Sequence, residues 1–324
     1  MSILVVGSVA VDNIETPAGS RSRILGGACT YFATAASLYA QVRMVGVVGQ
    51  DFPQEHVRFL QGRNIDLRGL QVVEGETFSW SGRYGDDLGD AETLDTRLNV
   101  FADFQPTLPE DYRRTPYVFL ANIDPDLQLH VLSQIESPRL TALDSMNFWM
   151  GSKREALTRA MSLVDVVLLN EAEVIQYAGE PNLIAATQAI LDLGPKALVV
   201  KRGRYGALLV THGESIGERF FLTPAYPLAR VVDPTGAGDT FAAGFMGYLA
   251  QTGDLTVGGL RRAVVHGTLV ASFTVQDFSI DALRNLALAD VVTRYDDFHL
   301  LTHYDDGPCP GQERLQRSIM DNQP

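Results

Sequence analysis

The stretch Val232-Asp-Pro-Thr-Gly-Ala-Gly-Asp-Thr-Phe241 leads into a helix that the sequence predicts over 240–250. Residues 236–238 have small side chains or none, so their backbone N–H groups are accessible at the start of that helix. Unpaired N–H groups and the helix dipole both favour an anion there, and phosphate is the expected ligand. Asp239 stands beside this site, where a carboxylate is suited to accept a proton from an attacking hydroxyl group. The alternative is structural, with Asp239 as an N-cap and the glycines as a tight turn.

Three other segments place glycine or polar residues next to predicted strands and helices. Asn170-Glu-Ala-Glu173 comes directly after a predicted strand, where polar groups of an open α/β sheet face the ligand crevice. The glycines of Lys201-Arg-Gly-Arg-Tyr-Gly206 let a nucleotide lie against the backbone, and Gly26-Gly27 suits a hinge or a close approach to a substrate. Each segment also has a structural interpretation, as a first-turn acid, a hairpin turn or a helix-start turn.

Short apolar runs alternate with helical patterns along most of the chain. The predicted strands cover 3–6, 43–48, 117–120, 140–143, 164–169, 197–200 and 207–210. The predicted helices lie near 28–39, 53–62, 126–136, 153–162, 182–193 and 240–250. The first six strands are almost continuously apolar, as parallel strands buried on both faces are. This alternation predicts an α/β fold with a doubly wound, mainly parallel sheet.

Two segments interrupt the alternation, at about 12–24 and 72–104. In the second, alternating residues flank the turn Gly85-Asp-Asp-Leu-Gly-Asp90, which predicts a hairpin. We expect the two segments to form a small β-sheet lid over the C-terminal edge of the main sheet, with an edge decoration of no function as the alternative. Periodicity is lost near the end of the chain, so we expect one α/β domain over 1–304 and a mobile extension over 305–324.

Charge and composition exclude several classes of protein. The net charge of −13, from 39 acidic and 26 basic residues, argues against nucleic acid and membrane surfaces as partners, because both carry negative phosphates. Two cysteines, Cys29 and Cys309, are too few for a disulfide scaffold or a Cys/His zinc site. A basic leader and a run of about 18 apolar residues are both missing, so a cytoplasmic protein is expected. A Walker-type P-loop and a dinucleotide fingerprint are missing as well.

Together, these segments resemble the ribokinase family, the PfkB-type carbohydrate kinases that include nucleoside kinases. Its most specific motif, D-[TP]-x-G-A-G-D, reads Asp233-Pro-Thr-Gly-Ala-Gly-Asp239 in this chain. Gly26-Gly27, Val45-Gly-Val-Val-Gly-Gln-Asp51, Asn170-x-x-Glu173 and the segment 201–206 accompany it in the family's order. The resemblance covers about residues 3–285. It implies a ribokinase-like fold with a lid, transfer of a phosphoryl group from ATP to an alcohol, and a requirement for Mg²⁺.

The resemblance also implies roles for individual residues. Asp239 matches the catalytic base, and the anion hole for the transferring phosphate matches Gly236, Ala237 and Gly238. Asn170 and Glu173 match the pair that organises Mg²⁺, water and phosphate, with Glu173 reaching the metal through water. The residues expected along the nucleotide are Asn170, Lys201, Gly203, Gly206 and Thr235. The residues expected on the acceptor side are Asp12, Gly26 and Gly27.

The acceptor side departs from the pattern of the sugar-specific members. These often have Asn two residues before the first Asp, where this chain has Ala10, and Lys and Asn after the glycine pair, where it has Ala28 and Tyr31. Fewer polar groups remain for a free sugar and an aromatic residue is gained, so Tyr31 is expected to cover a flat group such as a base. Further candidates for stacking, with core or lid packing as the alternative, are Trp80, Phe148 and Trp149.

These features favour a kinase for a primary hydroxymethyl group, above all the 5′-hydroxyl of a nucleoside such as adenosine. A sugar kinase acting on a ribose- or fructose-type substrate is the alternative. An inactive small-molecule-binding protein on the same fold is a third possibility, against which the retained Asp239 argues. A homodimer through the lid sheet stays open. The monovalent-cation site of the sugar kinases is not carried over, because residues 271–279 lack the Gly-Ala turn.

Overall fold

A computed structural model of the chain describes residues 1–303, so the extension predicted over 305–324 lies outside the described residues, as does Cys309. The strands are β1 (Ile3–Val6), β2 (Ala10–Thr16), β3 (Gly19–Gly26), β4 (Val42–Gly49), β5 (Ile65–Val73), β6 (Phe78–Arg83), β7 (Glu92–Arg97), β8 (Tyr117–Leu120), β9 (Leu140–Asp144), β10 (Val166–Asn170), β11 (Ala197–Lys201), β12 (Ala207–Thr211) and β13 (Phe220–Thr223). The helices are α1 (Ala28–Ala36), α2 (Gln54–Gln61), α3 (Pro125–Leu132), α4 (Asn147–Ser152), α5 (Arg154–Ser162), α6 (Glu171–Ala178), α7 (Leu183–Leu191), α8 (Ile216–Arg219), α9 (Ala237–Thr252), α10 (Val257–Thr274) and α11 (Leu288–Thr302).

Nine strands form the main sheet, in the order β13-β12-β11-β10-β9-β8-β1-β4-β5. Neighbours from β5 to β11 are parallel, which confirms the mainly parallel sheet expected from the apolar runs. The last two strands, β12 and β13, are antiparallel, and β12 follows β11 through a short turn that leaves no room for a crossover helix. The first strand is buried on both faces: Ile3 and Val5 join one core and Leu4 and Val6 the other.

The six predicted helices are present, with ends shifted by a few residues, and they cover both faces of the sheet. The structure also contains helices α4, α6, α8, α10 and α11 and strands β5 and β13, which were not predicted. Helix α10 is rich in glycine, which disfavours helix in an isolated chain. Packing explains part of this: a Cβ on Gly267 would lie 2.8 Å from the carbonyl oxygen of Phe241 on α9, so a side chain there would separate the two helices.

The lid is a separate four-stranded sheet in the order β3-β2-β6-β7, which confirms the expected small sheet. Strands β2 and β3 are antiparallel, as are β6 and β7, but β2 and β6 pair in parallel. The second lid segment is shorter than the predicted 72–104, because Val72 and Val73 belong to β5 and Asn99–Asp103 forms a 3₁₀ turn. The described part of the chain contains no helix with both the length and the apolar character needed to cross a membrane.

Candidate active site

The predicted phosphate loop precedes α9 at the C-terminal edge of the main sheet. Gly236 is the N-cap of this helix and has a left-handed backbone, with φ of 75°. The N–H of Ala237 donates to the carbonyl of Pro234 at 3.1 Å, whereas the N–H groups of Gly236 and Gly238 have no acceptor within residues 1–303. Of the three N–H groups expected to bind phosphate, two are therefore available, and that of Ala237 stabilises the turn.

Tyr31 on α1 supports this loop from below. A Cβ on Gly236 would lie 2.2 Å from Cδ1 of the Tyr31 ring, so no side chain fits at position 236. Tyr31 is only 1% exposed. The expectation that its ring covers a base is therefore revised, because neither ring face is open to a ligand, and its place is beneath the phosphate loop.

Near the start of α9 lie three acidic groups, Asp144, Glu173 and Asp239, and one lysine, Lys201. The carboxylate of Asp144 is 2.5 Å from the ammonium of Lys201, and both side chains are largely buried. Burial, together with the negative charge of Asp144, raises the pKa of Asp239 to about 7 against the opposing charge of Lys201. An Asp with this pKa is a stronger base than an exposed Asp, as proton acceptance near neutral pH requires.

The predicted pair Asn170 and Glu173 forms a capping box at the start of α6. The N–H of Asn170 donates to Glu173 Oε2 at 2.7 Å, and the N–H of Glu173 donates to Asn170 Oδ1 at 2.8 Å. Burial raises the pKa of Glu173 to about 7, against the opposing charge of Lys201. The box thus fixes a buried carboxyl group at the same sheet edge as Asp144 and Lys201.

Beside the phosphate loop is a cavity of about 660 Å³ whose size and apolar walls suit a nucleotide. Its lining includes Leu88, Lys201, Gly203, Gly206, Tyr226 and Gly238. Gly206 has φ of 91°, and a Cβ on it would lie 1.9 Å from the carbonyl oxygen of Thr223, so the β11–β12 turn requires glycine. The structure therefore brings the predicted segment 201–206 and the phosphate loop into one cavity.

The lid contacts the loops that line this cavity, a feature that the sequence did not predict. The guanidinium of Arg204 donates to the backbone carbonyl of Asp87 at 2.6 Å. The hydroxyl of Thr235, expected along the nucleotide, donates to the hydroxyl of Tyr84 at 3.0 Å. The tip of the β6–β7 hairpin thus forms part of the cavity wall and is bonded to both nucleotide-side loops.

Asp12 lies between the lid and the body of the protein. The Asp12 side chain fills the space that a side chain at position 26 would need, since a Cβ on Gly26 would lie 1.8 Å from Asp12 Oδ2. The next residue, Gly27, has φ of 93°. Asp12 is 4% exposed, and its Oδ1 has no hydrogen-bond partner in the described part of the chain. Burial raises the pKa of Asp12 to about 7, and the charges of Asp233 and Asp239 add to the shift. A buried carboxylate oxygen without a partner is a place where a ligand hydroxyl group would be expected to bind.

The three other stacking candidates lie in different surroundings. Trp80 is the register partner of Asp12 on the neighbouring strand β6, so the two side chains share one face of the lid. Its indole N–H donates to Thr93 Oγ1 at 3.3 Å, and the ring is partly exposed. On α4, Phe148 is 58% exposed, and the indole N–H of Trp149 donates to Asn122 Oδ1 at 3.0 Å. Only Trp80 among these candidates shares the Asp12 face of the lid.

Sequence reasoning missed Asp144. It is the last residue of β9 and follows four buried residues, so it carries the same signal that drew attention to Asn170 at the end of β10. Polar groups at the carboxyl ends of neighbouring parallel strands converge at one edge of the sheet. That rule, applied to every predicted strand, would have found it.

Comparison with known proteins identifies the family. The model of the pfkB family carbohydrate kinases matches residues 118–283. A cytidine kinase from Thermococcus kodakarensis is 31% identical over 251 residues, which cover 76% of this chain and 87% of that protein. The chain belongs to the PfkB carbohydrate kinase family. Proteins of this family are phosphotransferases, and the chain is accordingly a nucleoside or sugar kinase of the ribokinase type.

Solved structures of PfkB kinases have the same fold. The nucleoside kinase of Methanocaldococcus jannaschii, an archaeal member of the ribokinase family, superimposes with a TM-score of 0.74 at 22% identity, covering 91% of this chain and 98% of that one. An E. coli chain assigned as a ribokinase II, in complex with ATP and Mg²⁺, has a TM-score of 0.75 at 18% identity and coverages of 91% and 99%. These likenesses establish the ribokinase-like fold with its lid.

Gly238→Val should abolish nucleotide binding without unfolding the protein. A Cβ on Gly238 would lie 3.2 Å from Lys201 Nζ, and a branched side chain would fill the space beside the free N–H groups. Calorimetric titration with ADP measures the effect. Gly151→Val is the matched control, because a Cβ on Gly151 meets nothing within 4 Å. Unchanged ADP affinity in a folded Gly238→Val protein would place the phosphate elsewhere.

Proposed function

We propose that this PfkB kinase transfers the γ-phosphoryl group of ATP to the 5′-hydroxyl of a nucleoside. The observation that carries the proposal is the pairing of Asp12 with Trp80 on one face of the lid. Asp12 offers a buried, unpartnered oxygen for ribose hydroxyl groups, and Trp80 offers an aromatic ring for the base. The identity to a cytidine kinase supports a nucleoside acceptor.

The residues around Asp12 also favour a nucleoside over a free sugar. Ala10 and Ala28, at positions where sugar-specific members often have polar side chains, leave few additional hydrogen-bonding groups. A free sugar would lose hydrogen bonds to water that this site does not replace. A nucleoside has fewer hydroxyl groups and an apolar, flat base whose burial on Trp80 compensates for the smaller polar network.

In the proposed mechanism, Asp239 takes the proton of the attacking hydroxyl group as that oxygen bonds to the γ-phosphorus and ADP leaves. The N–H groups of Gly236 and Gly238, at the positive end of the α9 dipole, hold the phosphoryl oxygens. The segment 201–206 binds the nucleotide in the large cavity. The lid excludes water, which would otherwise compete with the acceptor for the phosphoryl group.

Mg²⁺ would be held by few protein groups. Within residues 1–303, no group of three or more His, Cys, Asp or Glu side chains is arranged to bind a metal ion. Mg²⁺ usually keeps several waters and binds one or two carboxylates together with substrate phosphates, and the buried carboxyl group of Glu173 fits that pattern. When bound, the ion neutralises phosphate charge; Glu173 would orient one of its waters.

The proposed partners are small molecules, ATP and the nucleoside. A homodimer through the lid stays a prediction. The exposed strand β3 leaves one edge of the lid sheet open to another strand, which is compatible with that arrangement.

Asp239→Asn should lower kcat by about 10²–10⁴-fold, because the amide has nearly the same shape but cannot accept the proton. ADP affinity should stay within a few-fold of the wild type, since the loop N–H groups are unchanged. Steady-state kinetics and calorimetry check both. A variant that keeps more than about a tenth of the wild-type kcat would remove Asp239 from the role of base.

The kcat/KM of the wild type should fall at least tenfold per pH unit below about pH 7, and more steeply if Asp12 and Glu173, whose pKa values are also raised to about 7, must be ionised as well. The pKa of Asp239 is raised to about 7, so the base becomes protonated as the pH falls through that value. Unfolding would not explain the loss: a carboxyl group whose pKa folding raises from 3.8 to about 7 favours the folded state most below about pH 4, and this contribution is lost as the pH rises to about 7. Rate profiles and melting curves from pH 5.5 to 9 test this. A flat profile down to pH 5.5 would contradict the assignment.

Nucleosides should be better acceptors than free sugars. Base–aromatic stacking contributes roughly 1–3 kcal/mol, about 5- to 150-fold in affinity. The experiment compares kcat/KM for cytidine, adenosine, inosine, ribose and fructose with ATP and Mg²⁺. Trp80→Ala should lower kcat/KM for the nucleosides alone, and Asp12→Ala should lower kcat/KM for all acceptors. Phe148→Ala, at an aromatic residue on α4, should change kcat/KM for none of them. Efficient phosphorylation of ribose or fructose with no reaction of any nucleoside would instead favour the sugar-kinase alternative.

A further inference from the structure

We propose that Asp144 is a positioning residue for phosphoryl transfer, and that it acts by holding the ammonium of Lys201 against the start of α9, where Lys201 contacts the γ-phosphate. The inference rests on the proposed kinase reaction and adds to it the cation that compensates the transferring charge and the residue that fixes this cation in place.

The ion pair spans the carboxyl ends of three adjacent strands. Asp144 ends β9, Lys201 ends β11, and β10 lies between them. Asp144 Oδ2 lies 2.5 Å from Lys201 Nζ, with side-chain exposures of 5% and 15%. The other oxygen, Oδ1, accepts the N–H of Ser145 at 2.8 Å, and the backbone carbonyl of Asp144 accepts the amide of Gln128 at 2.9 Å. Asp144 is thus anchored on three sides.

Lys201 faces the nucleotide site from this anchor. Its Nζ lies 3.2 Å from the position of a Cβ on Gly238, the residue whose N–H group is free to bind phosphate. Lys201 also lines the nucleotide cavity. Burial lowers the pKa of Lys201, but the charges of Asp144 and Glu173 outweigh burial and raise it above its usual value, so the side chain stays protonated.

Phosphoryl transfer requires positive charge at the γ-phosphate, and few side chains here can supply it. The chain has three lysines, and Lys153 and Lys196 pair with the surface residues Asp124 and Asp165. On the 201–206 turn, Arg202 pairs with Glu171 and Arg204 donates to the lid. Lys201 is the cation that this part of the structure directs toward Gly238.

A lysine side chain needs such an anchor because its four-carbon stem has many rotamers, and a displaced ammonium does not stabilise the transferring group. Asp144 removes that freedom and offsets the cost of burying the charge. Because Asp144 is itself negative, it repels phosphate while it holds the lysine in place. Its removal should therefore leave nucleotide binding intact or tighter and still slow the transfer.

The test is a double-mutant cycle of Lys201→Met and Asp144→Asn, in which kcat is measured with ATP, Mg²⁺ and the best acceptor. Calorimetry with ADP and with a non-hydrolysable ATP analogue gives binding. Lys196→Met, which removes the exposed Lys196–Asp165 pair, is the matched control and should change kcat less than about twofold.

Lys201→Met should lower kcat by about 10²–10³-fold, as the loss of one transition-state donor does, and should weaken the ATP analogue more than ADP. Asp144→Asn should lower kcat at least tenfold with ADP affinity unchanged or higher. In the Lys201→Met background, Asp144→Asn should change kcat by less than about threefold when kcat is compared at pH 9, where Asp239 is ionised and the effect of Asp144 on its pKa no longer matters, because Asp144 then acts through Lys201.

Two results would overturn the proposal: a kcat of Asp144→Asn within threefold of the wild type, or losses that multiply in the double variant. If Asp144→Asn alone does not fold, the kcat of the double variant compared with that of Lys201→Met still tests the proposal, because the double variant contains no unpaired buried charge. If no nucleoside is phosphorylated, the proposed acceptor is wrong, but the two binding titrations still test Lys201 without an acceptor.

Discussion

The contact between the Tyr31 ring and Gly236 links the two halves of the active site. The ring fills the volume of a missing side chain, so α1 and α9 can begin side by side. Each helix starts after a glycine with positive φ, Gly27 and Gly236. The residues proposed for the acceptor lie before α1, and the loop proposed for phosphate lies before α9. The distance between the two proposed sites is therefore set by buried packing, which is stiff, and not by flexible loops.

The proposed ligand of the site, ATP, is a highly charged anion, whereas the protein is acidic. Asp12, Glu173 and Asp239 are carboxyl groups whose pKa values burial raises to about 7, so their negative charge near neutral pH is smaller than a count of acids suggests. Partial protonation of these groups, the N–H groups of α9 and the ammonium of Lys201 would reduce the repulsion between the proposed site and ATP. The net charge of −13 thus says little about the local field at the phosphate loop.

The parts of this structure that local sequence encodes were predictable. Six apolar runs predicted six of the seven parallel strands of the main sheet, and the Gly/Asp turn at 85–90 predicted the lid hairpin. Contacts between distant segments were not predictable: the ring of Tyr31 is buried because α1 packs on α9, and β2 pairs with β6 across the intervening β4–β5 unit. Asn170 and Glu173 carried both a site signal and a cap signal, because Asn followed three residues later by Glu is also the pattern of a capping box, and the structure contains that box.

The order in which the chain passes through the lid strands limits how the lid can fold and whether part of it can be exchanged between relatives. Its central hydrogen bond between side chains, from Asn13 to Ser81, joins residues 68 positions apart, and the segment between them contributes two strands to the main sheet. Closing a loop of this length has an entropic cost, which is smaller once β4 and β5 have paired in the main sheet, so we expect the lid to assemble after the main sheet. For the same reason, one lid hairpin cannot be exchanged by itself with that of a relative. Recombination that brings in only the β6–β7 hairpin separates β6 from β2, the strand with which it must pair.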